Sequence, residues 1–535
     1  MSKMWSHKQY LIIRIIVIAA VVGCAVFFGF KKHGFYIDEY YVYTFANGTQ
    51  VGIAIDTGEW NDTSDYRSQL VSEGSENFNF TQTYHNVESG VHPPLYYFLI
   101  HFASSIFTGR FSKWIGLSVN ILILIPLLVL VERITWKLTE GDQIVSLLTI
   151  LLVGLSPVTV SMVVLTRMYL LLAVWTLLYV YIHIKALELD SLSVSRFLIP
   201  VFVSGFFGFL TQYFFVIVMF FITFVYAFYL IVICRRIKDT FIYGLTALSS
   251  LISTYFVWPI SYYHIFMGHR GKGAFSQAKD ISHIWERLWQ EVDYLNIMVF
   301  AKMMPFFFAV LLIGMLLLIK QIIIERRKGL KWFSSFSTAT KAYILVMLSA
   351  ILSFLLISQV KLLEGGITCC RQLYNVYVLF LILTSVGIFK MIQYLKRELT
   401  NGLYSIIAVL IALLLLLGHV EKNVLFLFED DIVATNYAKN HPEAKVVMFH
   451  NDDGNYDSCI QELMLYPKVY YAWIGDLSTA KDPIIASASE LLVYVSTSGV
   501  PEECFESVYK QNPKITSADH LWDSESGFFS VYLLK

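Results

Sequence analysis

Apolar residues in this chain come in long unbroken runs rather than in alternation. Runs at 11–30, 114–132, 144–166, 168–186, 197–212, 214–233, 241–260, 297–323, 342–359, 374–393 and 403–420 approach the roughly 20 residues that cross a bilayer, and predict about eleven transmembrane helices. A shorter run, 93–108, opens with Pro93 and Pro94, which suit a first helical turn where a missing N–H costs nothing. It is about 16 residues long, so it predicts a juxtamembrane helix rather than a crossing. From 421 onwards the pattern changes. Segments 444–450, 490–496 and 528–534 read as strands and 502–511 as a helix, the makings of a small α/β domain. The predicted architecture is a polytopic all-α membrane domain over 1–420, with a first outer loop at 31–113, followed by a soluble α/β domain over 421–535.

Composition agrees with the membrane reading. Of the 535 residues, 56% are hydrophobic and only 15% charged, where soluble domains carry about a quarter charged residues. The formal net charge is zero, which gives no bulk electrostatic case for nucleic acid as a partner. The N-terminal apolar run is too long for a secretory h-region, so it reads as a retained first span despite the Val21-Val-Gly-Cys24 box. The triplets starting at Asn47, Asn61 and Asn79 have sequon form, but chance produces such triplets in polar loops. The six cysteines match no zinc or redox spacing. Cys459 and Cys504 either pair or stay separate buried thiols, and adjacent Cys369 and Cys370 suit no ordinary disulfide.

Basic residues fix the expected orientation. Lys3, Lys8, Arg133, Lys137, Lys185, Arg196, Arg235, Arg236, Lys238, Arg326, Arg327, Lys328, Lys331, Lys396 and Arg397 then fall on one side, a positive-inside pattern. The N-terminus is expected in the cytoplasm, and the odd span count puts the C-terminal domain outside. Lys31, Lys32, Arg167, Arg270, Lys272, Lys361 and Arg371 are left on the outer side. Lys31 and Lys32 read as snorkelling to lipid phosphates, whereas Arg167 and Arg371 read as a site for an anionic ligand.

The candidate chemistry sits just past the first span, in Gly34-Phe-Tyr-Ile-Asp-Glu-Tyr-Tyr-Val-Tyr43. A carboxylate can serve as base toward an attacking alcohol, and guanidinium groups match the oxygens of a departing phosphate. Asp38 with Glu39, and outer-side arginines, therefore suit transfer from a lipid phosphate at a membrane boundary. Read alone, the acidic pair is equally a solvated helix end. The surrounding tyrosines suit sugar stacking and an interfacial aromatic belt alike. His264, Arg270 and Lys272 lie in a loop at 260–296 whose glycines would let it close over a ligand; an ordinary solvated loop is the other reading.

The order of these features resembles the GT-C superfamily of polyprenyl-phosphate-sugar glycosyltransferases, the group of protein O-mannosyltransferases and aminoarabinose transferases. The matching pieces are Asp38-Glu39 after the first span, His92-Pro-Pro-Leu-Tyr-Tyr97, Thr166-Arg-Met-Tyr169 after Ser156-Pro157, Leu210-Thr-Gln-Tyr213, and Arg371 before a late span. The resemblance covers about residues 8–420. It implies Asp38 as the general base, with Glu39 orienting or assisting. It places His92, Arg167, Tyr169 and Arg371 at the donor phosphate or sugar, and Gln212 and Tyr213 beside it. The implied reaction is a single inverting displacement from a polyprenyl-phosphate sugar to a hydroxyl of a glycan, lipid or protein. Some relatives carry a second acid where this chain has Thr166-Arg-Met-Tyr169, so no obligatory metal is expected. Two other readings stay open: a transporter or flippase for a lipid-linked or anionic substrate, and a catalytically inert relative serving assembly.

Overall fold

A computed structural model of the chain describes residues 5–49, 55–327, 336–360, 366–395, 400–420, 422–451, 455–524 and 526–535. Lys3, Lys328, Lys331, Lys361, Lys396 and Arg397 lie outside the described residues.

Helix α1 (His7–Lys31) opens with a capping box in which Ser6 and Gln9 each bond the other's backbone N–H. It has no polar face and few buried residues, as expected of a lipid-facing span. Its buried stripe meets Gly154, where a Cβ would stand 2.5 Å from a methyl of Val21. The first loop then folds as α2 (Ile37–Asn47), the short strand β1 (Trp60–Asp62), α3 (Ser64–Leu70), α4 (Phe80–Glu88) and α5 (Leu95–Ile106). Helix α5 is the expected juxtamembrane helix and starts directly after Pro94.

After α6 (Lys113–Leu138), the run expected as one span at 144–166 is two helices, α7 (Gln143–Leu155) and α8 (Pro157–Val164), bent by 54°. Pro157 lacks the N–H to continue α7 and forces Ser156 out of the helical region. Ser156 then caps α8, its hydroxyl accepting from Thr159 N. The last carbonyls of α8 meet Asn120 on α6, whose Nδ2 lies 3.4, 3.0 and 2.7 Å from the oxygens of Met162, Val163 and Leu165. The Tyr96 hydroxyl donates to Asn120 Oδ1 at 2.8 Å.

The helices that follow, up to the C-terminal segment, are α9 (Tyr169–Ala186), α10 (Ile199–Thr211), α11 (Phe215–Phe228), α12 (Ile237–Val257), α13 (His269–Lys279), α14 (Ile284–Met298), α15 (Met304–Arg327), α16 (Thr338–Val360), α17 (Tyr374–Leu395) and α18 (Thr400–Val420). The expected loop at 260–296 is mostly helical instead, as α13 and α14. Gly271 makes this possible, because a Cβ there would fall 2.0 Å from the Ile265 carbonyl oxygen. Among the described residues, eight helices are long and apolar enough to cross a membrane, and the bent pair α7–α8 makes nine. The further expected spans at 297–323 and 403–420 fall on α15 and α18, several of whose side chains lie outside the described residues.

The C-terminal segment builds a six-stranded mixed sheet. Its strands are β2 (Val446–His450), β3 (Lys468–Trp473), β4 (Leu491–Ser496), β5 (Ala518–Asp523) and β6 (Phe529–Leu534). They join β1 in the order β1-β3-β2-β4-β6-β5. The central strands β3, β2 and β4 are parallel, and β1 pairs antiparallel with β3. Alternate residues of the sheet serve two cores. Val446, Met448, Val469, Tyr471 and Leu492 face the core shared with the helices, and Val447, Phe449, Tyr470 and Val493 face the helix Pro501–Gln511. Cys459 belongs to the first core and Cys504 to the second, so both are buried free thiols on opposite sides of the sheet.

Asn120 is a point where this fold can be tested. Asn120→Leu keeps the volume but strands the α8 carbonyls and the Tyr96 hydroxyl, a cost of roughly 1–3 kcal/mol for each buried group left unsatisfied. The apparent melting temperature of the detergent-solubilised protein is expected to fall by several degrees; an unchanged melting curve would show that water satisfies those carbonyls.

Candidate active site

Helix α2 is started by its own acidic pair. Glu39 is the third residue of the helix, and its Oε2 accepts the Tyr36 N–H at 2.8 Å, closing the first turn. Both carboxylates lie where the helix dipole favours negative charge. Adjacent residues point about 100° apart around a helix, so the two do different things.

Glu39 turns inward and is fully buried. Its Oε2 pairs with Lys32 Nζ at 2.8 Å, and its Oε1 accepts the Thr166 N–H at 2.7 Å. Lys32 also donates to the Phe426 carbonyl at 2.8 Å and lies over the rings of Phe35 and Phe428. Lys32 is therefore not a snorkelling lysine. Its exposure is 0%, because the buried Glu39 carboxylate supplies a counter-charge closer than any lipid phosphate. Lys31, by contrast, is exposed and meets Glu429 at 3.7 Å.

Asp38 turns the other way, toward two arginines. Arg371 Nη2 donates to its Oδ2 at 3.3 Å, and Arg167 Nη2 stands 3.7 Å from the same oxygen. Arg167 Nη1 also donates to the Asp38 carbonyl at 3.2 Å. Arg371 is braced from behind, with Nη1 donating to Thr368 O at 2.8 Å and its guanidinium over the Tyr36 ring. Both arginines are buried, yet the Nε–H of each has no hydrogen-bond partner. Burial alone would raise the Asp38 carboxyl; Arg167, Arg371 and the more distant Arg270 outweigh it and hold the carboxyl below its ordinary value. The bend at Ser156-Pro157 and the start of α9 together aim Arg167, and the helical turn Gly366–Leu373 carries Arg371.

Other expected residues gather around this trio. Tyr169, the first residue of α9, is buried beside both arginines. His92 is half-buried in the loop before α5. Desolvation, reinforced by Arg167, Arg270, His264 and Arg371, keeps its imidazole neutral. Arg270 and Lys272 are exposed on α13, and Arg270 lies near enough to act on both Asp38 and His92.

Gln212, Tyr213 and His264 form an adjoining network rather than touching Asp38. Gln212 ends α10 and accepts the Tyr213 N–H at 2.6 Å. The Tyr213 hydroxyl lies 2.9 Å from His264 Nδ1 and takes a hydrogen bond from Trp258 at 3.0 Å. His264 Nε2 reaches the Glu88 carbonyl at 3.1 Å. Two members of the site carry no role in the sequence reading. One is Lys32; its spacing of seven residues from Glu39 was the available signal. The other is Tyr97, which lies buried near enough to feel the charge of Arg167 and which closes the His92 motif.

The helical bundle with a short broken span, helices in the first loop and a small C-terminal sheet is an ArnT-like fold. ArnT from Cupriavidus metallidurans bound to undecaprenyl phosphate matches over 99% of this chain and 98% of its own, with a TM-score of 0.51 and 9% identity. The same protein in the apo state gives a TM-score of 0.49 with 9% identity, over 98% of each chain. At that identity the likeness is one of fold. No family profile matches the sequence, and no curated protein matches it.

The Lys32–Glu39 pair yields a stability cycle. Removing one member of a buried pair costs about 3–5 kcal/mol, whereas replacing both by neutral groups costs far less. Lys32→Met and Glu39→Gln are each expected to lower the apparent melting temperature sharply, and the double variant to recover much of the loss. Additive losses would show that the two charges act independently.

Proposed function

We propose that this chain is an inverting glycosyltransferase that moves a sugar from a polyprenyl-phosphate donor to a hydroxyl acceptor at the membrane boundary. The observation that carries this reading is the pair of buried arginines converging on one oxygen of Asp38, each with an unpaired Nε–H. Two guanidiniums against one carboxylate leave an excess positive charge and free donors, which is what a phosphate satisfies. ArnT, of the same fold, was crystallised with undecaprenyl phosphate, which supports a lipid of that class as donor carrier here.

In the proposed reaction Asp38 takes the proton of the acceptor hydroxyl. The acceptor oxygen forms a bond to the anomeric carbon as the bond to the phosphate oxygen breaks, with inversion. The donor is a phosphodiester with one negative charge, and the departing polyprenyl monophosphate carries two. Arg167 and Arg371 therefore bind the transition state and leaving group more tightly than the donor, which is the condition for acceleration. They serve in place of a metal, and a divalent cation beside two guanidiniums would be repelled. Neutral His92 can donate a hydrogen bond to the phosphate, with Tyr169 and Tyr97 holding the arginines. Tyr213 and His264 support that wall from behind.

The same reading places the Asp38 end of the bundle outside the cytoplasm. Helices α6 and α9 run from this end to Lys137 and Lys185, so the basic clusters collect at the opposite end, as the positive-inside rule requires. The C-terminal sheet lies on the Asp38 side. The setting is a cell membrane crossed several times, with membrane lipids around it and a glycan, lipid or protein as acceptor.

Two measurements test this reading. Membranes holding matched amounts of wild type or Asp38→Asn are supplied with radiolabelled undecaprenyl-phosphate sugars and host membrane acceptors. Transfer is expected to fall by about 10²–10⁴-fold in Asp38→Asn, with undecaprenyl phosphate still bound; equal transfer in both removes Asp38 as the base. The second measurement is pH dependence. In the free protein the arginines hold Asp38 low, so kcat/KM should show no acid limb from this group above about pH 4. Once a donor phosphate draws the guanidiniums away, the carboxyl rises, and the acid limb of kcat is expected at higher pH. Coincident limbs would mean that the arginines never leave Asp38.

A further inference from the structure

On α2, one turn beyond Asp38 and on the same face, stands Tyr41. Its ring continues through Phe45 to Tyr97, with centroids 6.4 and 5.8 Å apart, and so back to Arg167. On its other side α2 packs against the short turn Asn455–Cys459 between β2 and β3, which carries Asp457 of the C-terminal segment beside Tyr41. Tyr41 also feels the charge of Asp38. A carboxylate more than 400 residues away in sequence thus stands beside the helix that carries the proposed base.

Asp457 is 7% exposed, and its Oδ1 has no hydrogen-bond partner. Its surroundings are aromatic. Tyr456 lies 5.7 Å from the ring of Tyr471 on β3 and 6.1 Å from that of His450 at the end of β2. The groups that act on it are Tyr41 from α2, Tyr456 from its own turn and Tyr471 from β3, with His450 behind Tyr456. The first loop holds this wall in place, since the Tyr66 hydroxyl donates to that of Tyr471 at 2.9 Å and Thr57 meets His450 at 3.1 Å. Desolvation pushes the Asp457 carboxyl up to about 7, and the neighbouring Tyr41 offsets only part of it. A residue needed only to fill that space could be an amide and avoid that cost.

We propose that Asp457 and Tyr41 form the acceptor-side subsite, where the Asp457 carboxylate accepts a hydrogen bond from a hydroxyl neighbouring the one that reacts at Asp38. The ligand class is a polyhydroxyl, sugar-like group of the acceptor. The subsite rests on the transferase reading above. It divides the site in two: the arginines take the donor phosphate on one side of Asp38, and the C-terminal domain meets the acceptor on the other.

The test is transfer from undecaprenyl-phosphate sugar by full-length protein, with host membrane lipid extract as the varied acceptor. Losing a hydrogen bond to a charged group should raise the acceptor KM of Asp457→Asn by about tenfold or more and leave the donor KM unchanged. In wild type the acceptor KM should rise as pH falls through about 7, and in Asp457→Asn it should be flat. Stability separates this from a structural role. A carboxyl raised in the folded state contributes stability below its unfolded value near 4, lost as pH rises through about 7. Asp457→Asn should therefore melt no lower than wild type at pH 8. An unchanged acceptor KM, or a lower melting temperature with donor and acceptor KM moving together, overturns the subsite. Should Asp457→Asn fail to accumulate, Tyr41→Phe is read in the same assay, and an unchanged acceptor KM in it overturns the subsite equally. No transfer by wild type with any donor overturns the transferase reading itself, and the subsite with it.

Discussion

The buried contact between Glu39 and Lys32 is the constraint on which the site depends. Through it meet the end of α1, the first turn of α2, the Thr166 N–H before α9 and the Phe426 carbonyl leading into the C-terminal segment. A buried ion pair is weak evidence of stability in itself, since the desolvation of two charges offsets their attraction. What it supplies here is geometry. With Glu39 pinned at three points, α2 cannot rotate, and Asp38 is held pointing away from that anchor toward the arginines. The same carboxylate fixes the backbone next to Arg167, so Asp38 and Arg167 are referred to one origin.

The arrangement around Asp38 follows from the cost of burying charge. Two guanidiniums with no anion nearby would be costly at this depth, and Asp38 relieves that by accepting from both. The relief is partial, because one carboxylate cannot saturate two forks and both Nε–H groups remain unpaired. A carboxylate so paired is a poor base. That is a contradiction for a resting enzyme and a sensible device for a loaded one. In the proposed reaction an incoming phosphate competes for the arginines, and the carboxylate gains basicity only when the donor is in place.

Much of this was legible in the chain. Long apolar runs placed the spans, and Pro93-Pro94 placed the start of α5. The strands β2, β4 and β6 were visible because each is a short apolar run that packs between layers. The misses have physical causes. Strand β1 is three residues long and exists only because β3 pairs with it, and β5 is a polar edge strand with an irregular register, so neither has a pattern of its own. The apolar run at 144–166 reads as one span, although proline chemistry at Ser156-Pro157 dictates a break. Lys32 was assigned to lipid because hydropathy cannot see that a buried partner lies seven residues on. Asp38, Arg167 and Arg371 stand out in the chain by residue type and order, but their meeting at one oxygen depends on distances that no spacing encodes.

The C-terminal segment bears on the site in a way that its sequence conceals. Read linearly, 421–535 is a separate soluble unit appended to a membrane domain. In space one of its edge strands comes from residues 60–62, its first core is continuous with that of the helices, and Thr63 and Tyr66 bond directly to Tyr466 and Tyr471. A domain tied to the first loop at so many points cannot move independently of α2, which lies between it and the helices. Any group it offers to a substrate therefore keeps a fixed distance from Asp38. On the proposed reading, such an arrangement lets the turn between β2 and β3 vary, and acceptor preference with it, while the arginines and the donor side stay unchanged.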